Sequence, residues 1–289
     1  YYTEGLIAVF IFGITPLFIK EVSANAVTIG LVRLTIGALF LYFIAKPSKL
    51  KKLTRKEWIA LLWIGLLFGA HWITYFISVK LATPSMAILS VSSFGLHMIY
   101  LNWFIKGVKP KAIDLFSVLL ALGGVFLILP DFDLSNNITS GILIGLTSAF
   151  FFAILPFVQQ RNQQIDSMSR AFGQYFFGLI FFLFFATESS WSLPQIDWVY
   201  LGILGLICTV GAHTLWLRSS TMLPTTTTSL IFYLGTPIAM FTSYLFLDEE
   251  MGLEKILGAT LIVSANVTGV LVRKKPLRSS TTSPNLGED

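Results

Sequence analysis

The sequence contains a single cysteine, Cys208, so it cannot form an internal disulfide, a cysteine-rich zinc site or an iron–sulfur cluster. Charged residues are also scarce. They make up 12% of the 289 residues, about half of what soluble domains carry. The motifs Asp-x-x-Asp, His-Glu-x-x-His and Gly-Lys-Ser are missing. The three histidines have no carboxylate or thiolate at ligand spacing, which argues against a zinc site. We therefore expect no metal and no cofactor.

What the sequence has instead is apolar surface. Apolar residues account for 55% of the chain, with 26 phenylalanines, and the mean hydropathy is +0.76. A soluble core could not bury this much apolar surface, whereas a lipid bilayer accepts it. The net charge of +5 comes from basic residues in the loops beside apolar runs, so it does not indicate a nucleic-acid partner. The composition predicts an integral membrane protein in contact with lipid.

Ten apolar runs are each long enough to cross a bilayer as a helix. They are long and continuous, unlike the alternating strands of a membrane β-barrel, so the predicted fold class is all-α. The connecting turns are short, which makes neighbouring spans antiparallel. The predicted spans are residues 4–20, 27–45, 58–79, 85–105, 112–130, 138–160, 170–187, 196–218, 225–247 and 255–273.

The loops differ in charge from one side of the membrane to the other. Sixteen of the 20 Lys and Arg residues fall in loops on the side of the two termini, three fall on the opposite side, and Arg33 lies within a span. By the positive-inside rule, both termini are cytoplasmic. We expect location in the bacterial inner (plasma) membrane and no signal peptide before the first span. The tail, residues 274–289, is rich in Ser, Thr and Pro, and we expect it to be disordered.

The second half of the chain repeats the first. A shift of 142 residues places His71 on His213 and Met98 on Met240, and a shift of 140 places Pro16 on Pro156. Five spans are an odd number, so the second unit would be inverted in the membrane relative to the first, as in many secondary transporters. The predicted domains are a first five-helix repeat, 1–134, and a second, inverted repeat, 135–273.

Residues around the ninth span resemble a known family. Leu223-Pro224, Gly235-Thr-Pro237, Phe246-Leu-Asp-Glu249 and Gly258-Ala-Thr-Leu-Ile262 resemble the EamA family of the drug/metabolite transporter superfamily. Arg33 in the second span is also similar to an arginine that this family often carries. The first half departs from the pattern, because Phe104-Ile-Lys-Gly107 lacks the glutamate and Ser93-Phe-Gly95 lacks the proline.

The resemblance implies ten transmembrane helices around a central cavity. Helices 1, 3, 4, 6, 8 and 9 would line the cavity, and helices 5 and 10 would pack away from it. Members of the family move amino acids, nucleobases, sugar-linked compounds and drugs, often outward. The motifs are loose, so they indicate the family and not the substrate.

Arg33 is the one charged residue well inside a predicted span. Such a residue usually faces a bundle interior or a cavity. A guanidinium suits a substrate carboxylate or phosphate. The alternative is a structural arginine bonded to backbone carbonyls of neighbouring helices, which we favour because the resemblance keeps helix 2 away from the cavity.

Polar and aromatic residues recur at helical spacing on the helices that the resemblance turns inward. They form the predicted substrate-binding set, although serines and threonines also bond helix to helix in membranes. His71, His97 and His213 are further candidates for proton coupling, because histidine titrates near neutral pH. The alternative for each is a neutral histidine bonded to a neighbouring group. The substrate-binding set is Thr15, His71, Tyr75, Ser93, His97, Tyr100, His213, Trp216 and Tyr233.

Three prolines lie within spans, and each removes a backbone hydrogen bond that neighbours must replace. Pro16, Pro156 and Pro237 are therefore predicted hinges. In the fifth span, Gly123 and Gly124 would allow another helix, the tenth, to approach closely.

These features predict a secondary transporter that exports a small metabolite, such as an amino acid, by alternating access, as a monomer or homodimer. Proton coupling and movement down a substrate gradient are both open. A nucleotide-sugar or phosphate exchanger is the main alternative within the class, although it should carry several inward Lys or Arg residues. A membrane-embedded lipid transferase and a non-transporting receptor are alternatives from other classes. No acidic residue lies deep in the spans, so a bulky organic cation is disfavoured.

Overall fold

The computed structural model describes residues 1–128, 135–223 and 230–272, and every regular element within these ranges is helical. A π-helical segment, Ile203–Gly211, joins α10 to α11, and residues 230–233 are helical ahead of α12. The α-helices are α1 (Tyr2–Glu21), α2 (Ala26–Ile44), α3 (Pro47–Leu50), α4 (Arg55–Leu81), α5 (Pro84–Ser92), α6 (Phe94–Lys106), α7 (Ala112–Ile128), α8 (Asn137–Arg161), α9 (Ser167–Leu183), α10 (Gln195–Gly202), α11 (Ala212–Met222), α12 (Gly235–Leu247) and α13 (Leu253–Val272).

Helices occupy the positions of the predicted spans. Within the described ranges, seven are long and apolar enough to cross a membrane: Tyr2–Glu21, Ala26–Ile44, Arg55–Leu81, Pro84–Lys106, Asn137–Arg161, Gln195–Trp216 and Leu230–Leu247. Helix α7 is apolar but shorter, while α9 and α13 lie at the seventh and tenth predicted positions. Pro224, Thr226, Ser229 and the tail 274–289 lie outside the described residues.

Helix starts follow local capping chemistry. Thr54 and Glu57 form a reciprocal capping box at the start of α4, and the side chain of Asn25 accepts the amide hydrogen of Thr28 at the start of α2. Asp166 caps α9 in the same way through the Ser169 amide. Each contact satisfies one backbone amide that the first helical turn leaves unpaired. These caps fix where the helices begin beside the short turns.

Three predicted spans are not continuous α-helices in the described residues. The fourth is interrupted at Ser93, between α5 and α6, and the ninth at Leu234, before α12. The eighth passes through the π-helical segment, in which the wider turn changes the faces on which later side chains lie. Segments of this kind are frequent at functional sites. These interruptions therefore alter which residues of each span point inward.

Helix α4 packs along α8 and α9, and α1 packs along α11 and α12. Helix α2 lies between α9 and the π-helical segment, and α5 contacts both α8 and α12. Helices α7 and α13 pair with each other at one side, where Gly124 lies directly against Gly258. Large apolar side chains cover the outside, with Phe104, Phe126 and Phe184 more than three-quarters exposed. That surface suits lipid tails.

Candidate functional site

A cavity of about 520 Å³ lies between α1, α4, α8, α9 and α11. Its size falls within the range of small-molecule sites. It extends from buried Thr15 and Arg33 to Gln160 and Gln163, which are exposed at the turn between α8 and α9. Its wall combines aromatic rings with amide, hydroxyl, imidazole and guanidinium groups, and the described residues that line it include no Asp or Glu.

Arg33 is 2% exposed and forms part of the cavity wall. Its Nε donates a hydrogen bond to Oγ1 of Thr209 at 2.9 Å. The guanidinium carbon lies 4.3 Å from the Trp72 ring centre and 5.2 Å from that of Phe76. Burying a charge costs several kcal/mol, whereas a desolvated cation–π contact returns about 2 kcal/mol. The rings therefore offset only part of the cost.

The surroundings of Arg33 depend on small residues and on the π-helical segment. At Gly37, one turn beyond Arg33, a Cβ atom would lie 2.5 Å from the Tyr175 ring and 3.1 Å from the methyl group of Thr209. Glycine thus lets both side chains reach the level of Arg33. Thr209 Oγ1 donates to the carbonyl oxygen of Leu204, five residues earlier, at 2.8 Å. That bond leaves its oxygen free to accept from Arg33.

His71 is anchored by Ser148 of α8. The Ser148 hydroxyl donates to the backbone oxygen of His71 at 2.8 Å, so it has no second hydrogen to offer to the ring. His71 Nδ1, which lies 2.8 Å from that hydroxyl and 3.1 Å from the Ser148 carbonyl, must therefore donate. This assigns the Nδ1–H tautomer and leaves the Nε2 lone pair available. Phe152 stacks on the ring at 4.7 Å.

His213 lies on α11, immediately after the π-helical segment. Its Nδ1 is 3.1 Å from the carbonyl oxygen of Cys208, which can only accept, so Nδ1 is the donor here as well. The ring meets Phe12 edge-on at 4.7 Å and Trp72 at 6.0 Å. Trp72 therefore contacts both Arg33 and His213, and joins them in one cluster.

Of the predicted substrate-binding set, the structure brings Thr15, His71, Tyr75, His213 and Trp216 to the cavity wall, together with the predicted hinge Pro156. Arg33 also lies in the wall, so helix 2 takes part in the cavity, contrary to what the resemblance implied. Pro16 and Pro237 lie in α1 and α12, and neither is among the lining residues.

Ser93, His97, Tyr100 and Tyr233 lie elsewhere. The Ser93 hydroxyl donates to the carbonyl oxygen of Ser90 at 2.6 Å, and His97 Nδ1 is hydrogen-bonded to the Tyr100 hydroxyl. Tyr233 donates to Asn266 of α13 at 3.2 Å. The first two bonds are local, and the third connects the segment before α12 to α13. Helix α5 contributes Ile88 and Val91 to the cavity instead.

Helix α9 supplies wall residues that the sequence analysis did not single out: Ser167, Arg170, Gln174 and Tyr175. Positions 167, 170 and 174 step by three and four, the spacing that was used on the other helices, so this signal was present in the sequence. Arg170 donates to the backbone and side-chain oxygens of Gln159, both at 3.0 Å. It fixes the exposed end of the cavity, which Gln160 and Gln163 line.

The opposite end of the bundle is held by lysines. Lys20, at the end of α1, donates to the carbonyl oxygens of Lys80 at 3.0 Å and Ala82 at 2.7 Å. Lys80, at the end of α4, donates to Lys20 at 3.4 Å and also to Val22. These positions favour lysine, because the carbonyl oxygens at helix C-termini attract cations.

Two buried carboxylates complete this end. Glu249, which follows α12, accepts hydrogen bonds from the hydroxyls of Thr83 and Ser85 and pairs with Lys255 at 3.0 Å. Asp197 of α10 accepts from the Ser23 amide at 2.9 Å. The turns after α1 and α4 are thus bonded to α10 and to the turn after α12. We call the region around Lys20, Lys80, Asp197 and Glu249 the closed end.

A second hollow of about 550 Å³ is lined by residues of α2, α3, α9 and the start of α4. Its wall is mainly apolar, with Tyr42, Trp58 and Phe172 among its members, and it contains none of the predicted site residues. We therefore treat the cavity beside Arg33 as the candidate functional site.

A helical bundle with an apolar outer surface, a polar cavity and one end closed by hydrogen bonds has the architecture of a membrane transporter. The EamA-like transporter family matches residues 2–129 and, a second time, residues 139–268. The chain belongs to this family and is an integral membrane protein.

The curated relatives are distant and cover most of the chain. The threonine/homoserine exporter RhtA of Salmonella typhimurium strain LT2 is 23% identical over 249 residues, covering 85% of this chain and 82% of the exporter. RhtA of Escherichia coli K12 is 23% identical over 247 residues, covering 84% and 81%. A solved crystal structure with 17% identity aligns at a TM-score of 0.65 and covers 93% of this chain and 96% of its own. That likeness concerns the fold.

Proposed function

We propose that the protein is a secondary transporter that exports a small metabolite, such as an amino acid, by alternating access around the cavity beside Arg33. The observation that carries the proposal is the contrast between the two ends of that cavity. Exposed Gln160 and Gln163 line one end, while hydrogen bonds between the first and second halves of the chain hold the closed end. A carrier open to one side has this form.

The helix pairings support two inverted repeats of five transmembrane helices each. If the halves are exchanged, the α4–α8 pair becomes the α11–α1 pair, and the α4–α9 pair becomes the contact of α2 with the π-helical segment. The α2–α9 and α7–α13 pairs map onto themselves. The family matches each half separately. Because each unit would have five helices, an odd number, the second would be inverted.

The activity for which the relatives are named suggests the first substrates to test. Both relatives are named threonine/homoserine exporters. The protein would be reconstituted in liposomes preloaded with unlabelled solute, and uptake of labelled L-threonine, L-homoserine, L-phenylalanine, UDP-glucose and inorganic phosphate would be measured. We expect counterflow with at least one amino acid. Flux of UDP-glucose or phosphate alone would favour the exchanger alternative, and no flux of any solute would contradict the amino-acid assignment.

We further propose that both termini and the exposed end of the cavity face the cytoplasm, because basic residues are concentrated on that side. Cys208 is buried, so a Cys208→Ser background suits single-cysteine labelling. A cysteine at exposed Lys52 should resist a membrane-impermeant maleimide in intact cells, and a cysteine at Ser189 should react. The reverse pattern would contradict this orientation.

A further inference from the structure

The least explained group in the cavity is Arg33. Its side chain is almost fully buried, and it lies in the wall of the cavity rather than between packed helices. A buried guanidinium is normally paired with a carboxylate, because an isolated charge is poorly tolerated away from water. Among the described residues, Arg33 forms no ion pair, and the cavity wall contains no Asp or Glu.

The contacts that Arg33 does make orient it without neutralising it. Thr209 accepts a hydrogen bond from Nε alone, and the guanidinium carbon lies over the Trp72 ring. In the part of the chain that the structure describes, the two terminal nitrogens have no hydrogen-bond partner. These nitrogens form the fork that binds carboxylates in a bidentate manner. The guanidinium is thus held at Nε and over the Trp72 ring, and its two terminal nitrogens remain available to a ligand.

A second group in the same wall also lacks a partner. Tyr175 is 2% exposed, it lines the cavity, and its hydroxyl has no hydrogen bond among the described residues. Its ring meets Trp72 edge-on at 5.7 Å, so it flanks the cluster that holds Arg33. A buried hydroxyl without a partner is uncommon and calls for an explanation. It could donate to the same anion.

Resting on the proposed transport function, we infer that Arg33 and Tyr175 form the subsite for the carboxylate of the transported solute. One guanidinium matches the single charge and planar shape of a carboxylate. A phosphate dianion would need a further cation, whereas Arg170, which also lines the cavity, is bonded to Gln159. The rest of the solute then meets Phe152 and Trp216, whose rings suit an apolar or small side chain.

The subsite predicts discrimination between acids and their amides. L-Threonine and L-phenylalanine should compete for counterflow of labelled L-threonine in proteoliposomes. Their amides lack the carboxylate and carry a net positive charge, so they should compete at least about tenfold less well, the scale of one charge-assisted hydrogen-bonded pair. Arg33→Gln should bring acid and amide to within about threefold of each other, and Arg33→Lys should keep part of the preference.

The control variant is Arg161→Gln, which removes an exposed arginine of α8 that does not line the cavity, and it should keep the full preference. If Arg33→Gln does not fold, Thr209→Val and Tyr175→Phe decide, because each should reduce the preference several-fold. Equal competition by acid and amide in the natural protein would overturn the inference, and so would an unchanged preference in all the variants or stronger competition by phosphate. If no solute moves at all, the transport proposal itself has failed.

Discussion

Lys20 and Lys80 each hydrogen-bond to the other's helix end. Lys20 Nζ lies 2.7 Å from the carbonyl oxygen of Ala82, and Lys80 Nζ lies 3.4 Å from that of Lys20. Both ammonium groups therefore occupy the negative ends of helices, where carbonyl oxygens lack helical partners. The two lysines stabilise the closed end together, although they carry the same charge.

Replacing either lysine with methionine should loosen the closed end. Lys20→Met and Lys80→Met each remove charge-assisted bonds to two carbonyls, so each should lower stability by ~1–2 kcal/mol. The double variant should lose more stability than the sum of the single losses, because each single change also relieves the repulsion between the two ammonium groups, and the double variant can relieve it only once. Melting temperatures in detergent would measure this. Lys52→Met, at an exposed position, is the control, and strict additivity in the double variant would contradict the reciprocal arrangement.

Glu249 offers an independent test of the same region. Glu249→Gln should weaken the bonds to Thr83 and Ser85 and remove the charge that pairs with Lys255, at a cost of ~1–3 kcal/mol. A cysteine at Thr15 in the Cys208→Ser background should then react faster with an impermeant maleimide from the closed side. Glu250→Gln changes the exposed neighbour and should leave the rate unchanged. Equal rates in both variants would disprove the role of Glu249.

Neighbouring glycines in α7 give a matched pair for packing. A Cβ atom at Gly124 would lie 2.6 Å from the carbonyl oxygen of Gly258, whereas at Gly123 the nearest atom is 4.0 Å away. Gly124→Ala should destabilise the α7–α13 pair by ~1–3 kcal/mol through overpacking. Gly123→Ala should be neutral, or stabilising by up to about 1 kcal/mol through helix propensity. Thermal unfolding of the two variants compares them directly, and equal effects would be inconsistent with this close approach.

Much of the helical fold could be predicted from hydropathy, because a membrane span requires a long apolar run. Helix α4, for example, covers residues 55–81 where 58–79 was predicted. The break at Ser93 and the π-helical segment could not be predicted. They differ from an α-helix in which backbone carbonyl each amide bonds to, and the apolar composition of the span is the same in either case. The positions of α5, α6 and α11 followed from the sequence, but the directions of their side chains did not.

The site was only partly predictable for a related reason. Polar spacing identifies a face of a helix, but it does not identify what that face meets. His71 and His213 meet the cavity, whereas His97 meets Tyr100 and Phe150. The resemblance placed Arg33 on a helix away from the cavity, yet Arg33 lies in the cavity wall. There Gly37 leaves room for Thr209, which accepts a hydrogen bond from Arg33. That outcome depends on close packing between distant parts of the chain.

Asp166, the N-cap of α9, lies outside the membrane spans, and we predict that its protonation in acid lowers the stability of the protein. Burial alone would raise the pKa of this carboxylate, but hydrogen bonds from Ser169 and the charge of Lys49 outweigh burial and lower it. A lowered pKa in the folded state means that its contribution is complete above about pH 4 and is lost as the pH falls further. Asp166→Asn should keep the cap at neutral pH without this acid-range loss, and Asp166→Ala should cost ~1 kcal/mol at neutral pH and less where the natural carboxylate is protonated. Identical melting profiles for Asp166→Asn and the natural protein between pH 3 and 7 would contradict the assignment.

Substitution of each histidine by glutamine tests proton coupling. His71 and His213 line the cavity and each has Nδ1 as its donor, so a proton could be taken up at Nε2 beside the solute. His97 lies outside the cavity wall. We expect His71→Gln or His213→Gln to abolish the pH dependence of L-threonine uptake into proteoliposomes, and His97→Gln to retain it as the matched control. If all three variants keep the natural pH dependence, coupling through histidine is wrong, and movement down the solute gradient remains the driving force.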